Sequence, residues 1–188
     1  MKKKLYKAYH KLEKQREEIL RKTEGLSRDQ LLWNPAKEKW NILQVLAHLI
    51  KAESLSLKFI ERSYTRYSEF PDAGISSAIR FQLLKWGLKM PISYKAPAMA
   101  DTTGYNPEFD GLVSDWEKVR NQLKMFIEEC DEASLKKALY KHPRAGDLNL
   151  RQAIEFMRYH VNHHEKQLEH LFESVKNLPG KPAPSTLT

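Results

Sequence analysis

Residues 149–175 read NLRQAIEFMRYHVNHHEKQLEHLFESV, and this stretch decides the fold class. Asn149 followed by Gln152 has the spacing of a reciprocal helix cap. Ala153, Met157, His160, His164, Gln167 and Leu171 then succeed one another at steps of 4, 3, 4, 3 and 4. That is the period of a helix seam packed against other helices. The seam therefore carries two imidazoles and an amide into a protein interior. His163 and His170 fall off it and read as surface groups.

Working outward, three more long helices follow from the same periodicity. Leu5, Tyr9, Leu12, Arg16, Ile19 and Thr23 mark a helix over the first 24 residues, with Gly25 as its stop. Ser27 and Gln30 have capping-box spacing and announce one short turn up to Leu32. After the Asn34-Pro35 break, Asn41 caps a helix bearing Ile42, Val45, Leu46, Leu49, Ile50, Leu55 and Phe59 and running to about Tyr67. Asn106-Pro107 places a cap and a first-turn proline before a third long helix. Its seam is Val113, Trp116, Val119 or Arg120, Leu123, Phe126 or Ile127, and Cys130. Ser134 to Leu139 reads as a further turn, and Pro143 and Gly146 as a loop.

Between the second and third long helices, residues 68–105 are punctuated by Pro71, Gly74, Pro91, Pro97 and Gly104. One short helix fits there, Ser77 to Lys89, with Ile79, Leu83, Trp86 and Met90 on one side. A connection this long is commonly a lid or a pocket wall. No strand pattern stands out. The expected architecture is all-α: a four-helix bundle whose long helix 2–helix 3 crossover contains an extra short helix. Residues 1–176 should form one domain, and the Pro-rich tail 177–188 should be extended or disordered.

Composition narrows the function classes. With 188 residues, 41% apolar and 30% charged, the chain has ordinary globular usage and length for one core. No run approaches the ~18 apolar residues of a spanning helix, so no membrane partner is expected. The single cysteine, Cys130, excludes an internal disulfide, reads as a buried structural thiol and fits a cytoplasmic protein. The net charge of +8 is spread along the chain without a nucleic-acid-binding motif, which argues against a nucleic-acid role.

The histidines carry the chemistry. His160 and His164, four apart on an inward face, can reach one metal ion or satisfy each other and water. His48 lies inside the apolar run VLAHLI and is either a bundle-lining histidine or a third nitrogen ligand facing that pair. Three imidazoles with open positions describe a Lewis-acid site rather than a closed structural one, and they suit zinc, nickel or ferrous iron alike. The sequence holds no HExxH, no CxxC, no phosphate-binding glycine loop and no nucleophile elbow. Trp33 and Trp40 read as packing of the first connection against the bundle end, with pocket lining as the alternative.

Three stretches resemble the DinB/YfiT-like metalloenzyme superfamily. They are LSRDQLLWNPAKEKWNILQVLAHLIKAE (residues 26–53), His142-Pro143 through Gly146 and Leu148, and His160-Val-Asn-His163-His164-Glu-Lys-Gln167. The resemblance implies a four-helix bundle with a divalent metal on His48, His160 and His164. It also implies a homodimer and a small-molecule substrate. The implied activity is that of a metal-dependent enzyme, either an S-transferase using a low-molecular-weight thiol cosubstrate or a hydrolase. The alternative is a non-catalytic metal- or ligand-binding bundle. Gln167 would orient a ligand histidine or be a plain seam amide. Arg80, Lys85, Lys89 and Arg151 are candidates to hold a thiol's carboxylates, or else solvated surface groups.

Overall fold

The computed structural model describes residues 1–90, 97–176 and 178. Pro91 and the tail beyond Lys176, apart from Leu178, lie outside the described residues. Among the described residues, six α-helices and one hairpin follow in order: α1 (Lys2–Thr23), α2 (Arg28–Leu31), α3 (Ile42–Tyr64), α4 (Ile75–Lys89), α5 (Phe109–Glu129), β1 (Tyr140–His142), β2 (Gly146–Leu148) and α6 (Leu150–Lys176).

The caps read from the sequence set three of these helices. Ser27 accepts from the Gln30 amide, Asn41 from the Gln44 amide and Asn149 from the Gln152 amide. In each case the glutamine side chain returns a bond to the capping residue's own N–H, so two donors without a helical partner are satisfied at once. The fourth start differs. Asn106 does not cap α5, because its Oδ1 accepts from the Asn41 side chain. The helix begins at Phe109 after Glu108 in extended conformation.

The four long helices form a ring in which α1 packs on α5 and α6, and α3 packs on the same two. Helices α1 and α3 thus stand on one diagonal and α5 and α6 on the other. The core they enclose includes Leu12, Leu46, Leu49, Trp116, Leu123, Met157 and Val161. Each fully buried aliphatic or aromatic side chain there contributes about 1.5–3 kcal/mol. Residues 41–50 are buried without a break, since the segment around Ala100 and Thr102 covers the side of α3 that the neighbouring helices leave open. That cover explains why VLAHLI is apolar all round.

Two further sequence expectations need correction. A two-stranded antiparallel hairpin exists, pairing Tyr140 with Leu148 and His142 with Gly146. Strands of three residues are too short to show an alternating pattern. The turn needs Gly146, whose φ is +65°. The other concerns α4, which starts at Ile75, two residues early. Ile79, Leu83, Trp86 and Met90 do lie on one side of the helix, and that side faces away from the protein. Its opposite side, Ser77 and Phe81 with Leu84 and Leu88, packs on α6 and the hairpin.

A buried ion pair crosses the bundle. Glu53 on α3 takes two bonds from Arg120 on α5, at 2.7 Å from Nε and 2.8 Å from Nη2, and a third from the Trp116 indole at 3.1 Å. Neither residue is more than 2% exposed. Arg120 belongs to the seam by periodicity, but its partner lies 67 residues away and has no signature in the sequence.

Candidate metal centre

Helix α3 supplies His48 and α6 supplies His160 and His164, and the packing of these two helices brings the three imidazoles together. One ring nitrogen from each lies within 4.8 Å of the others. His48 Nε2 and His160 Nε2 are 3.2 Å apart. Two imidazoles on one tetrahedral zinc, each bonded at 2.0–2.1 Å, sit about 3.3 Å apart. His48 is buried, whereas His160 and His164 are half-buried, so one side of the cluster remains open.

The outer partners fix which nitrogen faces inward. His48 Nδ1 donates to the Ala100 carbonyl at 2.7 Å. A carbonyl can only accept, so the proton sits on Nδ1 and the Nε2 lone pair points into the cluster. His164 Nδ1 donates to Gln167 Oε1 at 3.0 Å, with the same consequence. These are the contacts that orient metal-bound histidines, and Gln167 takes the orienting role rather than that of a plain seam amide.

Burial keeps the cluster neutral. It is the largest cause of the lowered pKa of His48, which the Ala100 bond partly offsets. Burial likewise drives His160 well below the usual histidine range, aided by the nearby His164 and His48. His164 falls to about 4, chiefly by burial. Neutral imidazole is the form that binds a cation; His48 and His164 turn their unprotonated nitrogens inward, and His160 Nε2 lies 3.2 Å from that of His48. The donor set therefore fits a divalent ion of the zinc, nickel or iron kind. Among the described residues, no carboxylate or thiol joins the group.

The walls are aromatic and come partly from the crossover. The Trp40 ring lies 5.0 Å from His48, and its indole N–H bonds to Thr103 Oγ1 at 3.0 Å. Phe156 stacks on His160 with centroids 5.7 Å apart. Trp40 thus lines the cluster as well as packing against the core, while Trp33 only packs. Of the crossover, Ala100 and Thr103 reach this region, on His48 and Trp40. Neither residue type announces this in a sequence.

The other candidates separate. His163 is half-buried rather than on the surface, with Nδ1 bonded to the Leu88 carbonyl, whereas His170 is exposed. His142 is structural: Nδ1 accepts the Arg144 and Ala145 amides and holds the hairpin turn. Burial lowers its pKa to about 4. Arg80, Lys85 and Lys89 contact Ala145, Phe81 and Tyr159 instead of the three imidazoles. Cys130 is buried, and burial pushes its thiol up, away from nucleophilic character.

A protein of Bacillus subtilis (strain 168), described as uncharacterized protein YuaE, is 26% identical over 152 residues, covering 81% of this chain and 89% of its own length. No solved structure matches the chain. The sequence profile of the DinB superfamily matches residues 11–168, a span that contains α3, α6 as far as Leu168 and all three imidazoles, and the chain belongs to that superfamily.

Proposed function

We propose that the chain is a metal-dependent enzyme in which His48, His160 and His164 hold a divalent zinc, nickel or iron ion at an open site. The observation that carries this reading is the convergence of three neutral imidazole nitrogens within 4.8 Å, with no carboxylate or thiol among the described residues joining them. A metal held there would supply Lewis acidity to a thiol or water entering the open side. The chain's own part is to present the nitrogens through Ala100 and Gln167 and to exclude bulk water with Trp40 and Phe156. The reaction classes that fit are S-transfer from a low-molecular-weight thiol and hydrolysis of a small molecule.

One observation favours a second reading, a bundle that binds metal or ligand without turnover. Among the described residues, no acidic side chain joins the cluster to serve as a general base.

The test is elemental analysis of protein purified without a polyhistidine tag, beside His48→Ala and His160→Ala, followed by a thiol-conjugation panel. About one metal per chain, lost in both variants and accompanied by activity, is the expected result. Absence of metal after supplying zinc, nickel and ferrous iron overturns the metal site. Metal without any conjugation or hydrolysis leaves the second reading in its place.

A further inference from the structure

The surface of α4 asks for a partner. Ile75, Ile79, Leu83, Trp86 and Met90 are 81%, 56%, 67%, 74% and 51% exposed. At 100° per residue they fill an arc of about 80° along about 22 Å of helix. The packed face of α4 lies opposite. Isolated exposed apolar groups are ordinary, but five in one stripe on one helix are not.

The charges beside the stripe choose its occupant. Lys85 and Lys89 fall on one flank and Arg80 on the other. Their neighbours are the Tyr159 ring and the Ala145 carbonyl. From Ala73 to Ala100 the sequence holds no aspartate or glutamate. A second copy of the chain docked stripe to stripe would set cations against cations. Antiparallel pairing brings Lys85 and Lys89 to face their own copies, and parallel pairing brings them to face Arg80. No acid in the segment offsets either arrangement. An apolar stripe holding a tryptophan, with cations on both flanks, is the pattern of a helix lying in an anionic lipid interface. No described helix is long and apolar enough to cross a bilayer, but lying on one needs only such a face.

We propose that α4 docks the protein on an anionic membrane surface, with Ile75, Ile79, Leu83, Trp86 and Met90 entering the acyl boundary and Arg80, Lys85 and Lys89 meeting lipid phosphates. The docking does not depend on the metal centre.

Sedimentation with vesicles of phosphatidylcholine alone, or doped with phosphatidylglycerol, tests this on the full chain. Three interfacial cations predict binding on the order of a hundredfold tighter to the anionic vesicles. Raising salt from about 0.05 to about 0.5 M should weaken it strongly. Trp86 emission should shift to the blue on binding, a shift missing in Trp86→Phe. Leu83→Glu should abolish pelleting, and Lys85→Gln/Lys89→Gln should reduce the preference for anionic vesicles, both with unchanged far-UV circular dichroism. Equal or absent binding to the two vesicle types overturns the proposal. So does a wild-type dimer in analytical ultracentrifugation that Leu83→Glu converts to monomer, because a second copy then covers the stripe.

Discussion

Replacing Arg120 by methionine tests the energetics of the buried pair. The change removes the two bonds at 2.7 and 2.8 Å, together with the 3.4 Å contact of Nη1 with Glu13 Oε2, and leaves the Glu53 carboxylate with one donor, the Trp116 indole. At 2% exposure water cannot compensate. Stranding one partner of a buried pair costs about 3–5 kcal/mol. For a chain of this size each kcal/mol moves Tm by about 2–4 °C, so a fall of roughly 6–20 °C is expected. Adding Glu53→Gln should recover much of the loss, because the glutamine is neutral and still accepts from Trp116. The stranded carboxylate resists ionisation, which raises its pKa above the unfolded value. Arg120→Met should therefore be less damaging at pH 5 than at pH 8. Urea unfolding followed by circular dichroism at both pH values measures the wild type, Arg120→Met, Glu53→Gln and the double variant. The reasoning is refuted if Arg120→Met costs under about 1 kcal/mol, or if the double variant is as unstable as the sum of the singles.

Further outcomes follow from the same geometry. His142 titrates near 4 in the folded chain against about 6.5 unfolded. Its contribution is whole above pH 6.5 and is lost as pH falls toward 4, by up to about 3 kcal/mol. His142→Asn keeps an acceptor for the Arg144 and Ala145 amides and should flatten that part of the stability–pH curve. An equally steep curve in the variant, by urea titration, would contradict the assignment. Gln167→Ala should weaken metal affinity by about 10–100-fold in a chelator competition, since His164 loses its orienting acceptor. Unchanged affinity would reduce Gln167 to a packing group. Zinc, nickel or ferrous iron at a hundred times its Kd should stabilise the protein by about 2.7 kcal/mol, read as a rise in Tm. His164→Ala should lose that rise, and its persistence would place the metal elsewhere.

Local signals in the sequence determined the helices and the inward histidines. Ser27, Asn41 and Asn149 cap where their glutamine partners three residues on can close the box, an interaction within one turn. The seam through Ala153, Met157, His160 and His164 fixes which face of α6 is covered, because burial follows helical period. The identity of the cover is different in kind. The contacts of Ala100 on His48, of Thr103 on Trp40 and of Arg120 on Glu53 join residues more than 50 positions apart and depend on how the helices are placed around the ring. The direction of the α4 stripe depends on the same placement. Periodicity gathers Ile79, Leu83, Trp86 and Met90 on one side, but Phe81, Leu84 and Leu88 make a second apolar side. Only the packing on α6 selects which of the two is buried. A helix apolar on both faces is ambiguous in one dimension, and tertiary structure decided that the larger side chains stay outside.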